Sequence, residues 1–337
     1  MPQAVDAPGR QCPLHYRYLP AVFRNEASLE TETLYVIGGL YGNVEALRAL
    51  QKMQREEERH GRKVTQVFNG DFHWFDIESA DFREIGETVL EHTAITGNVE
   101  AELERGAECG CNYPAYVDQT TVDQSNAILR RLQMTARNFP ELLQRHAVLP
   151  MHLTVQVGAA RIGILHGDPE SLAGWKFSVE NMEPLDLKLR RGLGCGASAD
   201  TTKISTVERY FEEAGVSAFA CTHTCLPFAQ DFAVNGKPRL VINNGAAGMP
   251  NFRGRREGLI TRISAHDEIP ADSLYGITLN GLRFDAIPVR YDPSAWLTRF
   301  LASWPPGSPA HISYFHRLSE GPDFEPRQAA RGSVPLT

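Results

Sequence analysis

The sequence predicts an α/β protein, and two observations lead to that prediction. Short apolar, β-branched runs alternate with longer segments of helical periodicity, which is typical of a sheet with helices packed on its faces. Side chains that can ligate a metal follow four of the apolar runs: Asp71, Asn98, His166 and His223. One carboxylate, one amide oxygen and two imidazoles suit a divalent transition metal. We therefore predict a metal site at the rim of the sheet.

The first half of the chain reads as alternating strands and helices that begin near Leu34. Apolar runs predict strands at residues 34–39, 64–70 and 92–96. Helical periodicity predicts helices at residues 44–60, 82–90 and 122–146. Asn43 is expected to cap the first helix, whose buried face would carry Val44, Leu47 and Leu50.

The second half is richer in strands. Residues 152–167 predict a β-hairpin that turns around residues 158–160, and residues 202–215 predict a helix. Further strands are predicted at residues 216–223, 239–245, 258–264, 274–279 and 282–291, followed by a helix at 295–302. Because no linker or repeat interrupts this order, we predict one compact domain. Its core spans residues 31–268, between an N-terminal extension (1–30) and a C-terminal extension (269–337) that packs on it.

The composition limits the function classes. The chain has 337 residues, 42% of them hydrophobic and 22% charged, so a sizeable core is expected. The net charge of -7 argues against a broad nucleic-acid interface, which needs a clustered basic face. No apolar signal region and no run of the ~18 apolar residues of a membrane span are visible. With six cysteines we expect free thiols and a cytoplasmic location, without membrane contact.

Five short motifs follow predicted strands in a fixed order. They are GLYGN at 39–43, GD at 70–71, GNVE at 97–100, HGD at 166–168 and THTC at 222–225, followed by the turn NNGAAGMPNF. Each motif alone is weak, but their order and spacing resemble the calcineurin-like metallophosphoesterases over residues 34–263. The resemblance implies a β-sandwich flanked by helices, two metal ions, and phosphoester hydrolysis by metal-bound water.

The resemblance also shows that half of the implied metal centre is altered. Asp71, Asn98, His166 and His223 match all four family ligands of one metal. The other metal of the family shares that aspartate, but its three remaining ligand positions hold different residues: Gly39, Tyr41 and Cys225. Where the family carries a proton-transferring histidine, this chain has Val99, which cannot move a proton.

Three interpretations of this pattern remain open from the sequence. One metal can suffice for hydrolysis, since a single Lewis acid polarises a phosphoryl oxygen and lowers the pKa of bound water. Alternatively, Tyr41 and Cys225 rebuild a second site, suited to Fe(III) or Zn(II) and to non-hydrolytic iron chemistry. His73 and Asp76 lie close enough in sequence to Asp71 to help. The third interpretation is a catalytically inactive protein that binds a metal or another ligand.

We predict a metal-dependent phosphoesterase of altered or mononuclear metal content. The ligands are Asp71, Asn98, His166, His223 and, at a second site, Cys225; the metal is Zn, Mn or Fe. His73 or Tyr41 would assist proton transfer. The expected substrate is a phosphorylated small molecule, either a monoester or a diester, and a homo-oligomer is left open. The pair Cys109 and Cys111 is a poor zinc signature, and we expect its loop to cover the site.

Overall fold

The computed structural model describes residues 9–10, 13–105, 111–196 and 199–337. Within them the strands, numbered along the chain, are β1 (Leu29–Thr31), β2 (Thr33–Ile37), β3 (Val64–Asn69), β4 (Thr93–Ile95), β5 (His152–Val157), β6 (Ala160–Leu165), β7 (Ala218–Cys221), β8 (Phe228–Val234), β9 (Lys237–Asn243), β10 (Gly258–Ser264), β11 (Gly276–Leu279), β12 (Leu282–Val289) and β13 (Ala330–Arg331).

The helices are numbered in the same way. They are α1 (Val44–Arg59), α2 (Ser79–Val89), α3 (Asn98–Arg105), α4 (Gln119–Ala136), α5 (Pro140–Ala147), α6 (Leu187–Gly192), α7 (Ile204–Ala214), α8 (Pro293–Ser303), α9 (Pro309–Glu320) and α10 (Pro326–Ala329). None of these helices is both long and apolar enough to cross a membrane.

The described strands form two mixed sheets. One has the order β1-β5-β6-β7-β9-β8-β13 and the other the order β11-β12-β10-β2-β3-β4. Strand β2 shows how they pack, because its side chains alternate between two cores. Leu34 and Val36 join the cluster that contains Ile164 of the facing sheet. Tyr35 and Ile37 join the second cluster, under the helices. The predicted α/β class, with a helix-flanked sandwich, is confirmed.

Helix α1 begins where its sequence predicts. The Asn43 side chain accepts a hydrogen bond of 3.0 Å from the backbone N–H of Ala46, which satisfies one of the free donors of the first turn. Val44, Leu47 and Leu50 are buried on one face, as their spacing predicted. The cap fixes the loop that leads from β2 into α1, and this loop carries Tyr41.

Parts of the chain differ from the sequence-based expectation. The helix predicted at 122–146 is two helices, because Pro140 lacks an N–H group and starts α5. The unpredicted elements include strands β1, β8 and β13 and helices α3, α6, α9 and α10. Strand β12, which belongs to the C-terminal segment, pairs with every residue of β10. The C-terminal segment therefore completes the six-stranded sheet.

The fold gathers strand ends at one edge of the sandwich. Strands β2, β3 and β4 are parallel neighbours in one sheet, and β6, β7 and β9 are parallel neighbours in the other. Parallel neighbours end at the same edge, where α/β proteins place their ligands. The loops after these strands carry the predicted metal ligands and Tyr41.

Candidate metal centre

Asp71 is held in a strained turn at the end of β3. Its φ is +53°, and that of Gly70 is +78°, a region that non-glycine residues rarely adopt. A Cβ at position 70 would lie 2.5 Å from Gly97 Cα and 2.8 Å from His166 Nδ1, so only glycine fits there. Strain of this kind accumulates at functional sites. The close approach brings the loops after β3, β4 and β6 together.

Glu100 links the loops after β3 and β4 through hydrogen bonds. Its buried carboxylate accepts hydrogen bonds from the backbone N–H groups of Asp71 (2.8 Å), Gly97 (2.9 Å), Phe72 (3.1 Å) and His73 (3.3 Å). Burial, followed by the charge of Asp71, raises the pKa of Glu100 to about 7. The sequence analysis did not identify this residue as functional, although its place in the GNVE motif was a usable signal.

The four predicted ligands converge on one point. His166 Nε2 lies 3.1 Å from Asn98 Oδ1, 3.3 Å from Asp71 Oδ2 and 3.3 Å from His223 Nδ1. The ligand atoms of Asp71, His166 and His223 all lie within 4.8 Å of one another. All four side chains are buried, with at most 7% of the residue exposed. This is the spacing that a single bound cation requires.

The outer nitrogen of each imidazole is bonded to a backbone carbonyl, which can only accept. His166 Nδ1 donates to Asn69 O (2.8 Å), and His223 Nε2 donates to Cys111 O (3.0 Å). In the neutral imidazoles the inner nitrogens, His166 Nε2 and His223 Nδ1, are then lone pairs that face each other. Such carbonyl partners are typical of metal-ligating histidines.

The remaining two ligands are also oriented by their far atoms. Asn98 Nδ2 donates to Cys111 Sγ at 3.2 Å, so the amide oxygen points inward. Asp71 Oδ1 accepts from the N–H of Val99 at 3.1 Å, which leaves Oδ2 for the centre. When both imidazoles are neutral, four acceptor atoms therefore meet at this point. A divalent cation with two nitrogen and two oxygen ligands satisfies all four, so the residues fit the metal that the fold implies.

The electrostatics keep Asp71 charged and His223 neutral, whereas they favour a proton on His166 that a metal ion would have to displace. Burial, followed by the nearby His166, lowers the pKa of His223 to about 4, which keeps its imidazole neutral. Burial opposes ionisation of Asp71, but the attraction of His166 outweighs it and lowers the pKa of that carboxyl. Burial also acts against a charge on His166, while the Asp71 carboxylate raises the pKa of His166 overall. Asp71 is thus an anionic carboxylate, as a metal ligand would need to be.

The ring of Tyr41 lies against Gly39, and both residues stand at positions where the resemblance implied ligands of the second metal. A Cβ on Gly39 would lie 2.5 Å from Cε2 and Cζ of Tyr41, so this ring occupies the space that a side chain at position 39 would need. The Tyr41 hydroxyl lies 2.7 Å from Cys225 Sγ. Both residues have positive φ, +53° and +61°. Tyr41 and Cys225 therefore face each other as a hydrogen-bonded pair where the resemblance implied a metal.

Burial, followed by the charges of Cys225 and Asp71, holds the pKa of Tyr41 well above 10. Burial likewise raises the pKa of the half-buried Cys225 thiol. Both groups are neutral near pH 7. The carbonyl of Cys225 accepts a 3.0 Å hydrogen bond from Arg317 of α9, which fixes the loop on that side.

His73 lies elsewhere than we expected. Its ring has no exposed surface and stacks on Phe82, with centroids 4.1 Å apart and planes at 15°. Its Nδ1 is 2.5 Å from Asp76 Oδ2, and His146 lies on another side of the ring. A general acid must come within hydrogen-bond reach of its substrate. The His73 ring is enclosed in this aromatic core and cannot come within reach of a substrate. Its position therefore does not support the predicted role in proton transfer.

Cys111 lies against the candidate centre, where it contacts Asn98 and His223. It is buried, and its carbonyl accepts hydrogen bonds both from His223 and from Nε1 of Trp175 (2.9 Å). Cys109 lies outside the described residues. Trp175 also packs edge-on against His223, with centroids 5.5 Å apart. Nothing in the sequence pattern pointed to Trp175, because it lies in a loop without a motif.

No protein-family model matches the chain, and no curated protein matches it in sequence. Solved structures match it in fold. A hypothetical protein from Pyrococcus horikoshii OT3 superposes with a TM-score of 0.53 and 15% identity, over 87% of this chain and 99% of that one. A metallophosphoesterase from Sphaerobacter thermophilus superposes with a TM-score of 0.50 and 16% identity, over 87% of this chain and 100% of that one.

The identities are low, so the likeness concerns the fold rather than the activity. It agrees with the motif order, with the sandwich of two mixed sheets, and with the place of the candidate centre at the strand ends. Together these observations establish that the chain has the calcineurin-like metallophosphoesterase fold.

Proposed function

We propose that this chain is a phosphoesterase that works with a single divalent transition-metal ion, Zn, Mn or Fe. The observation that supports this most directly is the convergence of four buried acceptor atoms from Asp71, Asn98, His166 and His223. When bound, the ion would supply Lewis-acid chemistry, which polarises a phosphoryl oxygen and lowers the pKa of coordinated water. The substrate would be a phosphorylated small molecule.

Other residues of the chain hold the candidate metal ligands in position. Glu100 holds the backbone of the Asp71 turn, while Asn69 and Cys111 fix the two imidazoles through their carbonyl oxygens. This support keeps the ligand atoms in place before any substrate binds.

Tyr41 is the group that we propose for contact with the phosphoryl or leaving oxygen. Its hydroxyl is a neutral donor next to the metal ligands, and its pair with Cys225 holds it in one orientation. Val99 stands where the family has a histidine and cannot take this role. We do not assign it to His73, because that ring is enclosed by Phe82 and His146.

The first experiment measures metal content in protein purified without added metal. We expect one transition-metal ion per chain in the wild type and loss of the ion in His223→Ala. The matched control is His60→Ala, because His60 is exposed at the end of α1. Metal-free wild-type protein, with His223→Ala indistinguishable from it, would contradict the proposal.

The second experiment measures hydrolysis of p-nitrophenyl phosphate and of bis(p-nitrophenyl) phosphate. We expect metal-dependent turnover, and a fall of kcat of roughly hundredfold in Tyr41→Phe, the usual size of a lost proton-transfer group. Metal retention without turnover of either ester would instead favour a non-catalytic binding protein. The valine at position 99 and the burial of the four candidate ligands agree with that alternative. Visible absorption that vanishes in Tyr41→Phe would favour iron chemistry at the tyrosine.

A further inference from the structure

A large cleft lies next to the candidate metal centre and is not part of it. Its volume is about 1110 Å³, and its described wall includes the aromatic rings of Tyr18, Tyr113, Tyr116 and Trp175. Trp175 belongs to both places, because its ring also packs against the metal ligand His223. We call this space the aromatic cleft. Ligand sites are typically clefts of this kind, lined by aromatic side chains and a few polar groups.

The four rings are held rigidly, because each has its polar atom hydrogen-bonded inside the protein. The pairs are Tyr18 hydroxyl to Asp168 O at 2.8 Å, Tyr113 hydroxyl with Ser125 Oγ at 3.0 Å, Tyr116 hydroxyl to Glu180 Oε1 at 2.8 Å, and Trp175 Nε1 to Cys111 O at 2.9 Å. The hydroxyl and indole dipoles are thus satisfied by the protein, and ring surface is what the cleft offers to a ligand. Preorganised aromatic surface binds planar groups with little entropic cost.

The charges of the cleft do not favour a phosphate inside it. Lys176 is paired with Glu170, and the carboxylates of Asp168 and Asp200 also line the wall. Arg209 is paired with the same Glu170 carboxylate, and Arg17 is the other cation in the described wall. Asp168 and Asp200 offset Arg17, so these charged groups carry no net positive charge that would attract a phosphate. The part of a ligand that enters the cleft should therefore be uncharged, and its phosphate should lie at the metal centre.

One backbone carbonyl connects the cleft with the centre. Cys111 O accepts hydrogen bonds from Nε1 of Trp175 in the cleft wall and from Nε2 of His223 in the metal centre. A group that stacks on Trp175 therefore lies one residue away from a metal ligand. Because the aromatic cleft and the metal centre adjoin, one molecule can occupy both.

We propose that the aromatic cleft binds the planar aromatic part of a phosphate ester, either a nucleoside or a simple aryl group. This inference rests on the proposed function for the phosphate, but the cleft binds the aromatic part independently. The substrate class is then a phosphate ester of an aryl group or a nucleoside, and aliphatic phosphates are poor substrates.

The binding test uses the fluorescence of Trp175 in protein stripped of metal. Trp74, Trp296 and Trp304 are at most 3% exposed, so Trp175 is the tryptophan that a ligand can reach. Adenosine, phenol and ribose are titrated separately. We expect adenosine or phenol to change the fluorescence saturably, with no change for ribose and none in Trp175→Phe. A response to adenosine alone identifies a nucleoside site, and a response to both identifies an aryl site.

Two variants of Tyr116 test whether the aromatic rings of the cleft wall bind the ligand. Tyr116→Ala should weaken binding of the aromatic probe roughly tenfold, in the range of a lost stacking partner, whereas Tyr116→Phe keeps the ring and should retain binding. Tyr18→Ala serves the same purpose if Tyr116→Ala does not fold. No saturable response to either aromatic probe, or equal binding in the alanine variants, would overturn the cleft proposal.

A kinetic comparison separates this inference from the proposed function. With metal restored, adenosine 5′-monophosphate and phenyl phosphate should exceed glycerol phosphate in kcat/KM by roughly tenfold. Hydrolysis of all three at equal kcat/KM would refute the cleft proposal and leave the phosphoesterase standing. Binding of adenosine or phenol without any hydrolysis would support the cleft and refute the phosphoesterase.

Discussion

His166 Nε2 and His223 Nδ1 lie 3.3 Å apart, and each ring has its other nitrogen bonded to a backbone carbonyl. Two neutral imidazoles in this arrangement point lone pairs at each other, with the Asp71 carboxylate alongside. A positive charge between these atoms, either a proton on His166 Nε2 or a bound cation, is favoured by the Asp71 carboxylate. We therefore expect a bound ion to stabilise the native structure.

Removing the ion should destabilise the fold. Because a ligand that binds only the native state adds RT ln(1 + [L]/Kd), chelation should lower Tm, and added Zn or Mn should restore it. The measurement is a thermal melt with and without a chelator. His223→Ala should melt low in both conditions, while His60→Ala should respond like the wild type. An unchanged Tm after complete chelation would contradict this expectation.

Glu100→Gln should weaken metal binding without contacting the metal. The amide would place donors against backbone N–H groups of Asp71 and Gly97 that now meet a carboxylate. Loss of such support typically lowers metal affinity by roughly 10- to 100-fold. Competition with a chromophoric chelator measures the change. Glu87→Gln, at an exposed position of α2, is the control, and equal affinity in both variants would show that Glu100 is dispensable.

Gly39→Ala should destabilise the protein because its methyl group would meet the Tyr41 ring at 2.5 Å. Overpacking of this kind costs about 1–3 kcal/mol. Tyr41→Ala removes the ring, so Gly39→Ala should cost much less in that background. Urea unfolding of the two single variants and the double variant forms the cycle. Additive effects would mean that the ring does not occupy this space.

His146 should make stability depend on pH. Burial, followed by repulsion from His73, lowers the pKa of His146 to about 2, while the unfolded chain has a pKa near 6.5. Below pH 6.5 the unfolded state binds a proton that the native state does not bind, so the free energy of unfolding falls as the pH falls. From pH 7 to 5 the loss from this group is about 2 kcal/mol.

Urea unfolding at pH 7 and pH 5 tests this expectation in His146→Leu, which keeps an apolar side chain in the same aromatic surroundings. The variant should lose less stability between the two pH values than the wild type does. Other titrating groups act in both proteins, so the difference isolates His146. Identical pH dependence would show that His146 is protonated in the native state as readily as in the unfolded one.

The sequence indicated most of the candidate metal ligands because the ends of strands can be recognised from the sequence pattern. Asp71, Asn98, His166 and His223 each follow an apolar run, and parallel neighbours end at one edge. The four side chains do meet there. His73 also follows a strand, but a position two residues beyond Asp71 does not state which way the ring turns. Packing against Phe82 and pairing with Asp76 decide that.

Residue order and periodicity were enough to predict the α/β class, the order of the strand-end loops, and four candidate metal ligands beside an incomplete second set. These features depend on local periodicity and on residue identity, which are read along the chain. Tertiary packing was needed to show that the Tyr41 ring fills the space at Gly39 and that Glu100 supports the Asp71 turn. It also placed Trp175 between the cleft and His223. Such relationships join residues far apart in sequence, so they exist only once the two sheets have packed.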